Sequence, residues 1–241
     1  MTNPAIIVIG ASSAIARAFV KTQVEQNSDV RVITVSRQAK AASKASALHF
    51  QCDYSEAQIQ KVGRQIFELD CTVKSVTIFN GLLHDEFDKF PEKKLEDIDL
   101  GYSMALFNIN TMIPMLWLQA LLPTIKGKQS CVVTALSARV GSISDNRMGG
   151  WYSYRSSKAA LNMMFKSAAV ELARRAKNIK LILFHPGTTD TPLSKPFQAN
   201  VPDEKLFTPE FVADQLSSII ANSHPDSTVS YVDWQNKSIE W

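Results

Sequence analysis

The chain has 241 residues, 45% hydrophobic and 20% charged, the make-up of a soluble globular protein with a substantial core. A formal net charge of +3 is too small to mark nucleic acid or an anionic membrane as a partner, and no apolar run approaches the ~20 residues that span a bilayer. Cys52, Cys71 and Cys131 lack disulfide or metal spacing and the start, MTNPAIIVIGASS, lacks a secretory signal, so a cytoplasmic protein without a bound metal is expected.

Ala5–Ile9 is a short β-branched run, the pattern of a strand buried on both faces. Residues 13–27 follow at helical period, with Ile15, Phe19 and Val24 near one face. Val30–Val35 is the second strand and Ala47–Gln51 a weaker third. A helix is predicted over 55–69, a strand over Val76–Phe79, and one or two helices over 95–122 around Pro114. Between them, the charged and Pro-interrupted run His84–Lys94 reads as a solvated loop. Ser130–Leu136 is a strand, 152–176 a long helix and Ile179–Phe184 another strand. A loop over 186–207 leads to a helix opened by Thr208-Pro209-Glu210, and Thr228–Val232 is a last strand. Strand then helix, repeated without a linker, predicts an α/β fold: a doubly wound parallel sheet with helices on both faces, in one domain over 1–241.

In such a sheet, ligands bind where strands end and helices begin. The first such turn is Gly10-Ala11-Ser12-Ser13-Ala14-Ile15-Ala16. The free N–H groups of a helix N-terminus suit a pyrophosphate there; Gly10 permits the tight turn, and Ser12 and Ser13 add donors. The second strand ends at Ser36-Arg37, where an NAD site usually carries Asp or Glu. A guanidinium at this place pairs with a 2′-phosphate, which favours NADP(H) over NAD(H).

The long helix puts Tyr154 and Lys158 on one face, whereas Tyr152 meets Ser156 and has no cation. A free phenol, with a pKa of about 10, donates protons poorly at neutral pH. A neighbouring ammonium lowers that pKa and suits Tyr154 to act as a general acid. Ser137 closes the fifth strand, where it can bond a substrate carbonyl, and Asn110 lies mid-helix, where it can hold a water chain toward Lys158. Pro186, Gly187, Thr188, Thr189 and Thr191 follow the sixth strand, where a Pro-Gly turn and hydroxyls can bind a nicotinamide carboxamide. A serine hydrolase is disfavoured, since no Gly-x-Ser-x-Gly elbow exists and His49, His84, His185 and His224 show no triad order.

On these motifs the chain resembles the short-chain dehydrogenases/reductases along essentially its whole length. GLLHD, LSARVGSISDNRMGGWYSYRSSKAALN and HPGTTDTPLSKPFQ are similar to the C-factor and sniffer-like carbonyl reductase branch of that family. The resemblance implies a Rossmann fold, nucleotide-dependent hydride transfer with a small carbonyl or alcohol substrate, and homodimers or homotetramers packed through helices 105–122 and 152–176. It implies that Asp53, followed by Tyr54, holds the adenine edge, that Asn80 and Gly81 lie against the adenine ribose, and that Tyr154, Lys158, Ser137 and Asn110 are catalytic. Two departures stand out. The second and third glycines of the first turn are Ala14 and Ala16, and the serine pair closing the fifth strand is Ser137-Ala138. If the second serine is the working one, Ser137 or Ser142 has to serve. The loop 188–207, with Leu193, Pro196, Phe197 and Phe207, is expected to close over an apolar substrate. The C-factor likeness keeps a second reading open: a signalling or nucleotide-sensing protein with weak or no turnover.

Overall fold

The computed structural model describes residues 3–39, 48–84 and 90–241. In chain order the elements are β1 (Pro4–Ile9), α1 (Ala14–Gln26), β2 (Arg31–Ser36), β3 (Leu48–Gln51), α2 (Glu56–Phe67), β4 (Thr72–Ile78), α3 (Leu100–Phe107) and α4 (Ile113–Ile125). There follow β5 (Cys131–Leu136), α5 (Tyr152–Arg175), β6 (Ile179–His185), β7 (Thr188–Thr189), β8 (Leu206–Phe207), α6 (Pro209–Ala221) and β9 (Val229–Asp233). Seven strands form one parallel sheet in the order β3-β2-β1-β4-β5-β6-β9. The strand order reverses between β1 and β4, so the crevice for a ligand opens there.

Period two explains why the inner strands read as unbroken apolar runs. Ile7, Ile9, Val133 and Leu183 enter one core with residues of α2, α4 and α5. Ile6, Val8, Ile182 and Phe184 enter the other, with Phe19 of α1 and Leu216 of α6. Both faces are covered, as expected for a doubly wound sheet. Ala47 of the expected third strand lies outside the described residues.

The stretch 95–122 carries two helices joined by a π turn, Asn108–Met112, which ends just before Pro114 in the first turn of α4. Two expectations are corrected. The rod Leu100–Ile125 is, by length and composition, long and apolar enough to cross a bilayer, with a mean hydropathy of 1.4. Part of that character serves packing, because Leu106, Ile113, Trp117 and Leu121 are buried, while Leu100, Met104 and Met112 are exposed. Finally, the run His84–Lys94 is not simply solvated: residues 85–89 lie outside the described set, but Pro91 and Glu92 are buried. The loop 188–207 closes on itself, because β7 pairs with β8 through Thr188–Leu206 and Thr189–Phe207.

Candidate active site

The turn leaving β1 is held tightly. Gly10 and Ala11 both donate to the Val35 carbonyl, at 3.0 and 3.1 Å, and Gly10 has φ +77°. A Cβ at this position would stand 3.1 Å from the backbone of Phe79 and Asn80, so the exits of β1 and β4 meet only because residue 10 has no side chain. Ser13 caps α1, accepting from Ala16 N at 3.3 Å.

Above this turn lies a cavity of about 580 Å³ lined by Gly10, Ser12, Ser13, Arg37, Asp53, Tyr54, Asn80 and Gly81. A second, of about 280 Å³, shares Ser12, Ser13, Asn80 and Gly81 with it and continues past Ala14 and Ile15 to Tyr154, Lys158, Pro186 and Thr191. A third, of about 300 Å³, shares Tyr154, Pro186 and Thr191 and is walled by Ser137, Gly187, Thr188 and Thr189. The three adjoin across the strand tips at the reversal of strand order.

Most of the expected residues are thereby gathered along one cleft; Ser36 and Asn110 are not in its wall. Ser36 is fully buried, with its hydroxyl accepting from Gln38 N at 3.2 Å, and the cavity wall at this end is Arg37. Asp53 is exposed and accepts from Ser55 N at 2.8 Å; hydrogen bonding from the Ser55 side chain first, and from its backbone N–H second, holds the carboxyl below the ordinary range. Tyr54 has φ +68°, and burial pushes its phenol up to about 12.

Tyr154 and Lys158 stand one turn apart near the start of α5, the phenol 7% and the lysine 2% exposed. Lys158 Nζ donates to the Leu136 carbonyl at 2.8 Å and lies 5.9 Å from the centre of the Tyr154 ring. Burial brings the lysine down to about 7 and raises the tyrosine, with the phenols of Tyr231 and Tyr102 adding to that rise. The downward shift expected for Tyr154 is therefore reversed in the protein alone, because loss of water around the phenolate outweighs the amine. Raised in this way, the phenol stays protonated but is a weaker acid than a free tyrosine.

Asn110 occupies the π turn and is fully buried. Its Oδ1 accepts from Leu82 N at 2.8 Å, and its Nδ2 donates to Leu82 O at 2.9 Å and Ser157 Oγ at 3.0 Å. Instead of reaching toward Lys158, the amide ties the exit of β4 to α5 one residue before that lysine. Ser137 Oγ donates to Asn162 Oδ1 at 2.7 Å, although Ser137 also lines the cleft. The neighbouring Ala138 belongs to the same buried cluster as Tyr154, Leu83, Tyr102 and Leu106 and lines the third cavity with Tyr154. Ser142 is engaged elsewhere, with its Oγ accepting from Asp145 N at 3.1 Å.

Sequence reasoning anticipated Leu193 and Phe197 in the wall of the third cavity but missed Trp151. Trp151 stacks edge-on to Tyr154 at 6.1 Å and meets Phe197 at 5.0 Å, with Val140, Leu83 and Leu193 alongside. Trp151 precedes the helix in a left-handed conformation, φ +53°, which turns it toward the pocket and has no periodic signature in the sequence. Arg139 was missed too; it forms part of the same wall and pairs with Asp233 at 3.2 Å.

A parallel sheet with an anion-sized turn at its switch point and a buried Tyr–Lys pair beside it defines a nucleotide-dependent oxidoreductase. The chain belongs to the short chain dehydrogenase family, whose family model matches residues 4–202. Over 147 residues it is 31% identical to the C-signal of Myxococcus xanthus, covering 61% of this chain and 83% of that protein. It is 24% identical to a 1-hydroxy-2-glutathionyl-2-methyl-3-butene dehydrogenase of Rhodococcus sp., covering 98% and 99% of the two. In fold it resembles an NADPH-bound carbonyl reductase from chicken fatty liver, with a TM-score of 0.83, 19% identity and 100% of both chains covered. The carbonyl reductase Sniffer of D. melanogaster superposes similarly, with a TM-score of 0.81, 18% identity and 100% of both chains covered.

Proposed function

We propose that the protein is an NADPH-dependent reductase of small, largely apolar carbonyl compounds. The observation that carries this reading is the buried Tyr154–Lys158 pair at the junction of two cavities, one leading to Arg37 and the other walled by aromatic side chains. The residues present fit the nucleotide. The Gly10 turn leaves a cradle at the start of α1, and Thr189 Oγ1 is buried without a hydrogen-bond partner among the described residues. Gly10, Ser12, Ser13, Ala14 and Ile15 would hold the pyrophosphate, Arg37 the 2′-phosphate, and Asp53 and Tyr54 the adenine edge. Asn80 and Gly81 would meet the adenine ribose, Lys158 the nicotinamide ribose, and Pro186, Gly187, Thr188, Thr189 and Thr191 the carboxamide.

When bound, the nucleotide supplies a hydride for the carbonyl carbon. Tyr154 gives its phenolic proton to the carbonyl oxygen. Lys158 keeps a cation beside that oxygen, anchored on Leu136 O, and Asn110 fixes α5 against the exit of β4. Ser137 is a hydroxyl in the wall of the substrate cavity, and its bond to Asn162 makes it a weak partner for the carbonyl. Leu193 and Phe197 bring the loop 188–207 over the pocket. Homodimers or homotetramers packed through α4 and α5 belong to the same reading, which Met112, Met163 and Val170 support as exposed apolar side chains on those helices and the turn before them.

Titrating NADPH and NADH into the protein while following tryptophan fluorescence tests the nucleotide end. NADPH should bind more tightly, and Arg37→Glu should weaken NADPH by roughly 10- to 100-fold, the worth of a charge-assisted bond, while sparing NADH. Equal affinities for both nucleotides in the native chain would contradict the role of Arg37. At the substrate end, Ala138→Ser should raise kcat/KM by about 10-fold by adding a donor beside Tyr154. A variant no faster than the native chain on a panel of aldehydes and ketones would show that this position faces away from the reacting oxygen. The second reading, a nucleotide sensor or signalling protein, draws on the likeness to the C-signal and on the methyl of Ala138. Tight NADPH binding with no turnover across the panel would favour it.

A further inference from the structure

Glu92 sits in the run that reads as solvated, yet it is only 2% exposed. Among the described residues no ion pair joins it to a lysine or arginine. A buried carboxylate without a cation needs hydrogen-bond donors, and these come from the start of the helix that carries Tyr154. Ser153 N approaches both carboxylate oxygens at 3.3 Å, and Ser153 Oγ donates to one of them. The Glu92 backbone takes part as well: its carbonyl accepts from Trp151 N at 2.6 Å.

The helix has a specific need for this partner. α5 runs for 24 residues, yet Trp151 at its N-cap makes no side-chain bond to it and its first turn holds no acidic residue. The four N–H groups at a helix start lack internal partners and carry partial positive charge, so a carboxylate brought from elsewhere in the chain satisfies both. Gly150, with φ +62°, lets the approach close, since a Cβ there would stand 3.3 Å from the Glu92 carbonyl. Arg155 secures the same turn through the carbonyls of Gly149 and Gly150. On the other side, Ser153 Oγ meets Ser103 Oγ of α3 at 2.6 Å.

We propose that Glu92 is a positioning residue for Tyr154, capping α5 from outside and fixing the register of its first turn against α3. It touches neither substrate nor nucleotide; it acts through Ser153, the residue before the phenol. The inference rests on the reductase reading, because positioning is read there as turnover.

The test uses the full chain with NADPH and a carbonyl it reduces. Glu92→Ala should lower kcat by about 30-fold, the scale set by small misplacements of a reacting group, while the NADPH Kd stays within about twofold. Amide hydrogen exchange over 151–158 should quicken in the same variant. Glu92→Gln should recover most of kcat, since its amide oxygen still accepts from Ser153 N. A native kcat in Glu92→Ala, NADPH binding lost in step with kcat, or Gln no better than Ala would each overturn the proposal. If Glu92→Ala does not fold, Ser153→Ala carries the test: kcat should drop about fivefold at unchanged NADPH Kd, and an unchanged kcat overturns the idea. If the native chain reduces no carbonyl, the reductase reading fails, and exchange over 151–158 decides the cap by itself. Unchanged protection in Glu92→Ala and Ser153→Ala would then overturn it, and faster exchange would support it.

Discussion

Replacing Tyr154 by phenylalanine should lower kcat by about 10³-fold and leave NADPH affinity within about twofold. The substitution is close to a pure test of the hydroxyl. The ring keeps its place among Leu83, Tyr102, Leu106 and Ala138 and its edge contact with Trp151. What disappears is the hydroxyl proposed to give a proton to the carbonyl oxygen. The fold should be unharmed, so Tm should not fall. Steady-state kinetics, a fluorescence titration and a melting curve on the same preparation check all three statements. A variant with native kcat would remove the phenol from the mechanism, and one that lost NADPH together with kcat would make Tyr154 a nucleotide contact only.

Lys158→Met should lower kcat by about 10²-fold, because the cation beside the developing charge is lost. The same variant should melt higher than the native chain near neutral pH when no nucleotide is present. Burial lowers Lys158 from 10.5 to about 7, so between those values the unfolded chain binds the extra proton. Native stability from this group therefore rises with pH through that window, and below about 7 the full cost of burying the ammonium is felt. A shift of this size corresponds to roughly 5 kcal/mol, and the loss of the bond to Leu136 O offsets part of the gain on removing it. The advantage of Lys158→Met should shrink as pH climbs toward 10.5. Melting curves of both proteins across this range decide the matter; a constant difference would mean that Lys158 is not buried as an ammonium at a cost.

The sheet was legible because the inner strands are largely apolar on both faces, so Ile6–Ile9 and Cys131–Val133 reveal themselves without knowledge of their neighbours. The Tyr154–Lys158 pair and Arg37 were legible for a related reason: helical spacing and position at a strand end are local properties. What stayed hidden depends on contacts between distant segments. Glu92 reads as one more charge in a polar run, and nothing near it in sequence announces a helix start 61 residues away that lacks its own cap. The π turn at Asn108–Met112 coincides with bonds from Asn110 to Leu82 and Ser157, contacts with segments distant in sequence. Ser36 was misplaced by a single residue of alternation: it turns inward, and Arg37 takes the wall.

Deuteride transfer is the most direct test of the central claim, that the cleft delivers a hydride and Tyr154 a proton to one carbonyl group. The native chain and Tyr154→Phe are each incubated with NADPH deuterated at the transferable C4 position and an aldehyde, and the alcohol is analysed by mass spectrometry. Deuterium on the carbinol carbon with the native chain, and almost none with the variant, is the predicted result. Equal labelling in both, or none with the native chain while NADPH is bound, would contradict it.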